Sequence, residues 1–155
     1  MKAYLTRRYW LAASHRLHSD RLSAEQNRAT YGKCNNPHGH GHNYLVEITV
    51  SGQVDPRTGM VCNLVELDGV VTREVLERFD HQNLNCMPEF RELVPTSENL
   101  CQVIYHIVQQ YFSAARLEKV RLEETSMNSF EYLGEEPESE RDAALVSAGA
   151  KEKAK

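Results

Sequence analysis

The chain has no long hydrophobic run and no excess of basic charge, and each absence excludes a class of function. None of its apolar stretches approaches the roughly 20 residues that a membrane-spanning helix needs. Residues 1–8 lack the apolar core and the cleavage site of a signal peptide, so we expect a cytoplasmic protein without a membrane partner. The net charge of −4 argues against a nucleic-acid partner.

Disulfide-forming patterns are also missing. The four cysteines contain no Cys-x-x-Cys pair, and in a reducing compartment we expect free thiols rather than a disulfide framework. The length of 155 residues, without an internal repeat, predicts one domain or one subunit of an oligomer. We place that domain at residues 1–133, because residues 134–155 are rich in Glu, Ala, Ser and Lys, as is typical of a disordered charged tail.

Hydrophobic periodicity predicts an α+β fold in the order ββααββ, with an antiparallel sheet. Strands are expected at residues 3–14, 44–51, 117–125 and 129–133, a short helix at 23–29, and longer helices at 64–79 and 100–111. Thr96 is a suitable N-cap for the last helix. The two longer helices cover only one face of such a sheet, so we expect other subunits to bury the rest.

A thiol and closely spaced histidines precede the strand expected at 44–51. Because side chains alternate along a strand, His40 and His42 project from one face and are able to share a metal ion. His15 is the best third ligand, since antiparallel pairing brings the end of the first strand near the start of the second. Three imidazoles with an open fourth position are typical of catalytic zinc. The alternatives are a polar turn without metal and a second His-x-His register that uses His38.

Cys34 and the Asp80–His81 pair are candidates for proton transfer. A thiol acts as a base where a neighbouring cation, histidine or metal lowers its pKa, and Cys34 is close to three histidines in the sequence. The alternative is an inert thiol. Adjacent Asp and His side chains orient each other in acid–base relays, although a histidine favoured by the dipole at a helix end explains the same pair without chemistry.

The strand expected at residues 117–125 has an apolar face that ends in a carboxylate. Val120, Leu122 and Glu124 share that face, so a half-buried Glu124 needs hydrogen-bond donors. A ligand with two adjacent N–H groups, such as the edge of a guanidine-like ring, supplies them bidentately. The alternative is a frayed strand with a solvated carboxylate. Glu98, in the first turn of its helix, is explained by the helix dipole alone.

Seven motifs, in order along residues 8–133, resemble the family of 6-pyruvoyltetrahydropterin synthase and its bacterial relative, 6-carboxytetrahydropterin synthase. They are ASHRL (13–17), GKCNNP (32–37), GHGHNY (39–44), DPRTGMV (55–61), DHQNL (80–84), PTSEN (95–99) and ET (124–125). The resemblance implies a tunnelling fold, in which ββααββ subunits join into a barrel of strands, typically a homohexamer of two stacked trimers. It also implies an enzyme, a zinc-dependent carbon–oxygen lyase that converts 7,8-dihydroneopterin triphosphate to 6-pyruvoyltetrahydropterin with loss of triphosphate.

The resemblance implies roles for the residues that form the reacting centre. Zinc is expected on His15, His40 and His42. Cys34 is expected to be the base that abstracts a proton from the substrate. Its acid–base partners are expected to be the Asp80–His81 pair, which reaches a neighbouring subunit because active sites of this family lie between subunits.

The resemblance also implies how the substrate is held. Glu124 is expected to anchor the amino-pyrimidine edge of the pterin, with Thr96 and Glu98 helping to line that pocket. Arg16 and Lys33 are candidates for contacts with the phosphates of the substrate.

The resemblance leaves two alternatives for the product, 6-pyruvoyltetrahydropterin and 6-carboxytetrahydropterin. Five residues separate Cys34 from His40, as in the pyruvoyl-forming enzymes, and three separate it from His38, as in the carboxy-forming enzymes of the queuosine and 7-deazapurine pathway. Relatives that cleave the side chain to a hydroxymethylpterin tend to carry Glu at the thiol position, so Cys34 argues against that activity. A non-catalytic pterin- or metal-binding module predicts loss of Cys34, Asp80 or His81, and all three are present.

Overall fold

Two long antiparallel strands form the centre of the fold. The computed structural model describes residues 1–135 of the chain. Strand β1 (Lys2–His15) pairs along its whole length with strand β2 (His40–Gln53), and His15 lies opposite His40. The end of the first strand and the start of the second therefore meet at one end of the sheet.

Three shorter strands complete the sheet, and helices and turns connect the strands. The other elements are α1 (Ala24–Tyr31), the 3₁₀ segment Gly32–Asn35, α2 (Leu64–Val71), the π-helical segment Thr72–Leu76, α3 (Glu77–Phe79), β3 (Gln82–Asn83), the 3₁₀ turns Leu84–Cys86 and Pro88–Phe90, α4 (Ser97–Tyr111), β4 (Arg116–Thr125) and β5 (Asn128–Tyr132). The strand order is β3-β1-β2-β4-β5. All neighbouring strands are antiparallel except β3, which runs parallel to β1.

The core lies between the helices and one face of the sheet. Alternate residues of β2 and β4 point into it, as the period of two requires. Each large apolar side chain buried there contributes about 1.5–3 kcal/mol. Fully buried examples are Tyr44, Val46, Ile48, Val120 and Leu122 on the sheet and Leu67, Val71, Leu100, Ile104 and Val108 on the helices.

The predicted α+β fold is confirmed, with differences in detail. The strand expected at 44–51 begins at His40, so the His-x-His motif lies inside the strand. The helix expected at 64–79 is interrupted by a π-helical segment, and the two-residue strand β3 was not predicted. Of the tail expected at 134–155, residues 136–155 lie outside the described residues. Within residues 1–135, no helix combines the length and the apolar character needed to cross a membrane.

Candidate metal and active site

Three histidine side chains meet where β1 ends and β2 begins. His15 lies opposite His40, and His42 follows two residues later on the same face. The backbone must pass very close at this point: Gly39 has φ +69°, and a Cβ there would lie 2.9 Å from the carbonyl oxygen of His15. Glycine is the residue that tolerates both this conformation and this approach. The antiparallel register therefore assembles the cluster that the spacing predicted.

The three imidazoles have the geometry of a metal site. Their ligand atoms all lie within 4.8 Å of one another, and the Nε2 atoms of His15 and His40 are 3.2 Å apart. Tetrahedral zinc with Zn–N bonds of about 2.05 Å places its nitrogen ligands about 3.3 Å apart. The Nε2 atom of His42 is buried and has no hydrogen-bond partner among residues 1–135. Because buried polar atoms are rarely left unpaired, this nitrogen fits a role as a metal ligand.

Hydrogen bonding and burial favour the metal-binding form of two of these rings, His15 and His42. The carbonyl oxygen of Pro95 lies 2.7 Å from Nδ1 of His15, so Nδ1 carries the hydrogen and the lone pair is on Nε2. Burial lowers the pKa of His15, assisted by His40 and His42, although the Pro95 hydrogen bond acts in the opposite direction. Burial also lowers the pKa of His42. Neutral imidazoles are the metal-binding form.

A carboxylate lies beside the cluster and is held in place by two donors. Ser97 donates from Oγ to Oε1 of Glu124 at 2.6 Å, and Asn128 donates from Nδ2 to Oε2 at 2.7 Å. The Oε1 atom is 3.5 Å from Nε2 of His42 and 3.9 Å from that of His15. Burial alone raises the pKa of Glu124, but the bonds from Ser97 and Asn128 and the two histidines outweigh it and lower the pKa. Glu124 is therefore an ionised, half-buried acceptor.

Cys34 lies in the 3₁₀ segment before β2, where the negative charge of Glu124 affects the pKa of its thiol. The carbonyl oxygen of Cys34 accepts from the backbone N–H of Leu17 at 2.8 Å, which ties this segment to the residues after β1. The thiol is half-buried. Burial and the charge of Glu124 raise its pKa, so the chain alone favours the protonated thiol. A positive charge at the histidine cluster would act in the opposite direction.

The Asp80–His81 pair lies at the other edge of β1. Asp80 accepts from the backbone N–H of Ala12 at 2.8 Å, and its Oδ2 is 2.9 Å from Nδ1 of His81. The Ala12 bond lowers the pKa of Asp80, burial opposes it, and His81 adds to the lowering. His81 is largely exposed and has φ +59°, which is uncommon for a residue other than glycine. Within residues 1–135, neither side chain forms a hydrogen bond or an ion pair with Cys34.

The structure places the remaining predicted residues in three different surroundings. Thr96 caps α4 by accepting from the N–H of Asn99, immediately before Ser97. Glu98 is exposed and lines a hollow of about 420 Å³ beside β5, with Ser129 among its neighbours. His38 is exposed and stays outside the metal cluster, which uses the register of His40 and His42.

Several supporting groups were missed by the sequence analysis. The Pro95 carbonyl is a backbone atom and leaves no side-chain signal. From the sequence alone, Ser97 is an ordinary residue of the first turn of a helix, and Asn128 is an ordinary turn residue. Only the expectation that a half-buried Glu124 needs donors indicates that such partners exist.

Comparison with known proteins identifies relatives of this chain. Residues 4–135 match the family model described as 6-pyruvoyl tetrahydropterin synthase. The chain is 46% identical over 133 residues to 6-pyruvoyl tetrahydrobiopterin synthase of Poecilia reticulata, covering 85% of this chain and 90% of the relative. Identity to the Homo sapiens protein of the same name is 44% over 135 residues, covering 86% and 93%.

Solved structures and a more distant relative agree with this assignment. The structure of Caenorhabditis elegans 6-pyruvoyl tetrahydropterin synthase matches with a TM-score of 0.83 and 39% identity, covering 87% of this chain and 97% of that one. A putative 6-carboxy-5,6,7,8-tetrahydropterin synthase of Archaeoglobus fulgidus is 39% identical over 87 residues, covering 56% of this chain and 69% of the relative. The extent of the match to the family model and to the fish and human proteins shows that the chain belongs to the 6-pyruvoyl tetrahydropterin synthase family.

Proposed function

We propose that the protein is a zinc-dependent carbon–oxygen lyase that converts 7,8-dihydroneopterin triphosphate to 6-pyruvoyltetrahydropterin with loss of triphosphate. The observation that carries this proposal is the buried Nε2 atom of His42, which has no hydrogen-bond partner among residues 1–135 and lies in a cluster with His15 and His40. The names of the fish and human relatives support the same reaction.

His15, His40 and His42 would hold zinc and leave a position open for substrate. When bound, zinc supplies Lewis acidity to the hydroxyl groups of the substrate side chain, which makes the neighbouring C–H more acidic. The Pro95 carbonyl keeps the His15 ring oriented for this task. Glu124 adds negative charge next to the cluster and favours a cation there.

Cys34 is the base in this proposal and removes the acidified proton as a thiolate. Burial and Glu124 raise its pKa, so the thiolate requires the added positive charge at the histidine cluster. The Asp80–His81 pair of a neighbouring subunit in a homohexamer exchanges protons with Cys34. Oxidation of one side-chain alcohol to a ketone supplies the two electrons that reduce the dihydropterin ring to the tetrahydropterin. The other alcohol becomes a ketone by elimination: its carbon loses a proton, triphosphate leaves the neighbouring carbon with the electrons of the C–O bond, and the resulting enol tautomerises to a methyl ketone. No external redox cofactor is needed.

Glu124 anchors the amino-pyrimidine edge of the pterin. Each carboxylate oxygen has two lone pairs, and one on each is used by Ser97 or Asn128. The remaining pair on each oxygen accepts from two adjacent N–H groups of the ring, which is a bidentate arrangement. Thr96 and the exposed Glu98, both at the start of α4, help to line this pocket.

The test is to identify the product by mass spectrometry after incubation of zinc-loaded protein with 7,8-dihydroneopterin triphosphate. We expect 6-pyruvoyltetrahydropterin from the unmodified protein and a loss of turnover in Cys34→Ala. Cys86→Ala is the matched control, because Cys86 is an exposed thiol that is not part of the histidine cluster.

The same experiment distinguishes the rival reaction. A 6-carboxy product with release of acetaldehyde would replace the proposal with 6-carboxytetrahydropterin synthase, which the archaeal relative makes the second candidate. Absence of any turnover, or equal activity in Cys34→Ala and Cys86→Ala, would contradict the assigned chemistry.

A further inference from the structure

A second hollow includes residues that directly follow His15 and flank Cys34 in the sequence, and it is lined by cations without any carboxylate. Its volume is about 310 Å³. Arg16, Arg28 and Lys33 supply three positive charges to its wall. The remaining lining residues carry no carboxylate: His18, Ala24, Gly32, Asn35, Asn36 and Pro37. A concave surface with one sign of charge raises the local concentration of ions of the opposite sign.

The segments that carry the metal ligand and the thiol also build this hollow. Arg16 directly follows His15, and Lys33 directly precedes Cys34. The Nε atom of Arg16 donates to the carbonyl oxygen of Asn35 at 3.1 Å, which fixes the guanidinium against the 3₁₀ segment. The positions of these two cations are therefore set by the same backbone that positions the reacting groups.

Arg28 approaches from helix α1. It lies in the last turn of that helix, whose C-terminal cap is the Gly32 N–H bonded to the Arg28 carbonyl. A cation at a helix C-terminus is favoured by the dipole alone. The dipole does not explain why Arg16 and Lys33, from two other segments, line the same hollow.

The hollow shares part of its wall with a larger cavity that is lined by one histidine of the metal cluster. That cavity has a volume of about 440 Å³ and includes His15 in its wall. Arg16, His18 and Pro37 line both spaces. Asp20 and Glu92 also line the larger cavity, whereas the hollow itself has no carboxylate, so the hollow is the part of this surface that favours an anion.

We propose that Arg16, Arg28 and Lys33 form the binding subsite for the polyphosphate tail of the substrate. This inference rests on the proposed function, because the substrate hydroxyls at the histidine cluster determine where the attached phosphates extend. Guanidinium and ammonium groups form charge-assisted hydrogen bonds to phosphate oxygens, and Arg does so bidentately. The subsite selects the triphosphate over the dephosphorylated pterin and retains the anion until the C–O bond breaks.

Arg28→Gln is the most informative variant, because Arg28 is exposed, lies outside the reacting centre and is replaced by a good helix former. The matched control is Arg73→Gln, which removes the same charge from an exposed arginine of the π-helical segment. Arg28→Lys keeps the charge and tests for rescue. The probe is inorganic tripolyphosphate, titrated calorimetrically into chelator-treated protein, so that removal of zinc by the probe cannot contribute heat.

We expect the unmodified protein to bind tripolyphosphate with an affinity that falls as salt is added. Arg28→Gln should bind about tenfold more weakly, whereas Arg28→Lys should recover most of the affinity and Arg73→Gln should equal the unmodified protein. With the zinc-loaded enzyme, Arg28→Gln should raise KM for the triphosphate substrate and leave kcat within about twofold.

The two readouts separate failure of this inference from failure of the proposed function. Loss of tripolyphosphate binding in Arg28→Gln, without pterin turnover in any protein, would retain the anion subsite and overturn the proposed reaction. Turnover that is unaffected by Arg28→Gln, together with unchanged tripolyphosphate binding, would overturn the subsite. Equal weakening in Arg28→Gln and Arg73→Gln would also overturn it, because the effect would then come from overall charge.

Discussion

At the scale of single residues, two glycines separate the cost of backbone conformation from the cost of crowding the metal site. Gly39 and Gly59 have nearly the same φ, +69° and +71°. A Cβ at Gly39 would lie 2.9 Å from the His15 carbonyl oxygen, whereas nothing lies within 4 Å of one at Gly59. A side chain at Gly59 meets only the left-handed backbone penalty. At Gly39 it must also displace a metal-binding strand.

We therefore expect Gly59→Ala to lower the free energy of unfolding by about 1 kcal/mol and Gly39→Ala to lower it by at least about 2 kcal/mol. Gly39→Ala should also weaken zinc binding by tenfold or more, because the backbone of His15 must shift. Urea unfolding measures the first effect, and competition with a chromophoric chelator measures the second. If the two variants behave alike in both assays, the close approach at Gly39 has no role in the cluster.

The buried histidines predict how the metal-free protein responds to acid. Burial holds the pKa values of His15 and His42 below their usual 6.5, so the unfolded chain takes up protons that the folded one resists. Their contribution to stability is present above pH 6.5 and is lost as the pH falls through the lowered values. Each imidazole contributes a slope of up to about 1.4 kcal/mol per pH unit.

Urea unfolding of the metal-free protein between about pH 7 and pH 5 measures this slope. His42→Asn should have a shallower slope than the unmodified protein, because one of the two titrating rings is absent. An unchanged slope in His42→Asn would contradict the assignment of the acid sensitivity to this ring. Zinc should raise the stability of the unmodified protein near pH 7 and steepen this slope, because the metal binds only deprotonated nitrogens of the folded protein and is displaced as they are protonated.

At the scale of secondary-structure elements, the start of α4 forms hydrogen bonds with two residues of the candidate site. The Pro95 carbonyl accepts from His15, Thr96 caps the helix, and Ser97 donates to Glu124. Three consecutive residues therefore contact His15, the end of the helix and Glu124. Loosening the first turn of α4 should alter the site as well as the helix.

Thr96→Ala tests this coupling against a second capped helix. Loss of an N-cap costs about 1 kcal/mol, so Thr96→Ala and Ser23→Ala should destabilise the protein to a similar extent. Only Thr96→Ala should also weaken zinc binding, because Ser23 caps α1 and has no contact with the cluster. Urea unfolding and chelator competition measure the two effects. Weakened zinc binding in both variants would instead indicate a general loss of stability.

The elements that were predictable from the sequence are those with a repeated pattern. The alternation in β2 and β4 and the helical spacing in α4 identified the sheet, its buried face and the helix that covers it. Strand β3 has only two residues and therefore no period, and its parallel pairing with β1 depends on the path of the chain after α3. The π-helical segment keeps a helical pattern of apolar residues, so the sequence does not distinguish it from a regular helix.

The same distinction applies to the candidate site, where the clustering of the histidines was predictable and the groups that hydrogen-bond to the site were not. His15, His40 and His42 were predictable because antiparallel pairing converts sequence position into proximity. The donor from Ser97 comes from a helix whose position relative to β4 depends on tertiary packing. The roles of Asp80 and His81 stay predictions, because the described chain does not bring them to Cys34.

At the scale of the whole molecule, one face of the sheet lacks a covering layer within residues 1–135. The face opposite the helices carries a polar network, in which Arg8 and Arg121 donate to the buried Glu47 at 2.7 and 2.5 Å. Two large aromatic side chains on the same face, Tyr4 and Trp10, are 64% and 70% exposed. Exposed aromatics beside a satisfied ionic network are typical of a surface that meets another protein. This agrees with the predicted barrel of subunits.

A barrel in which Asp80 and His81 serve a neighbour's Cys34 predicts complementation between inactive variants. Cys34→Ala and His81→Ala should each be inactive alone. Co-expressed, they should recover about a quarter of the unmodified activity, because random assembly leaves both groups intact at that fraction of shared sites. Two differently tagged copies of Cys34→Ala are the control and should recover nothing. Tandem purification through different tags on the two variants, followed by light scattering, determines whether mixed hexamers form. Mixed hexamers without recovered activity would contradict a site shared between subunits.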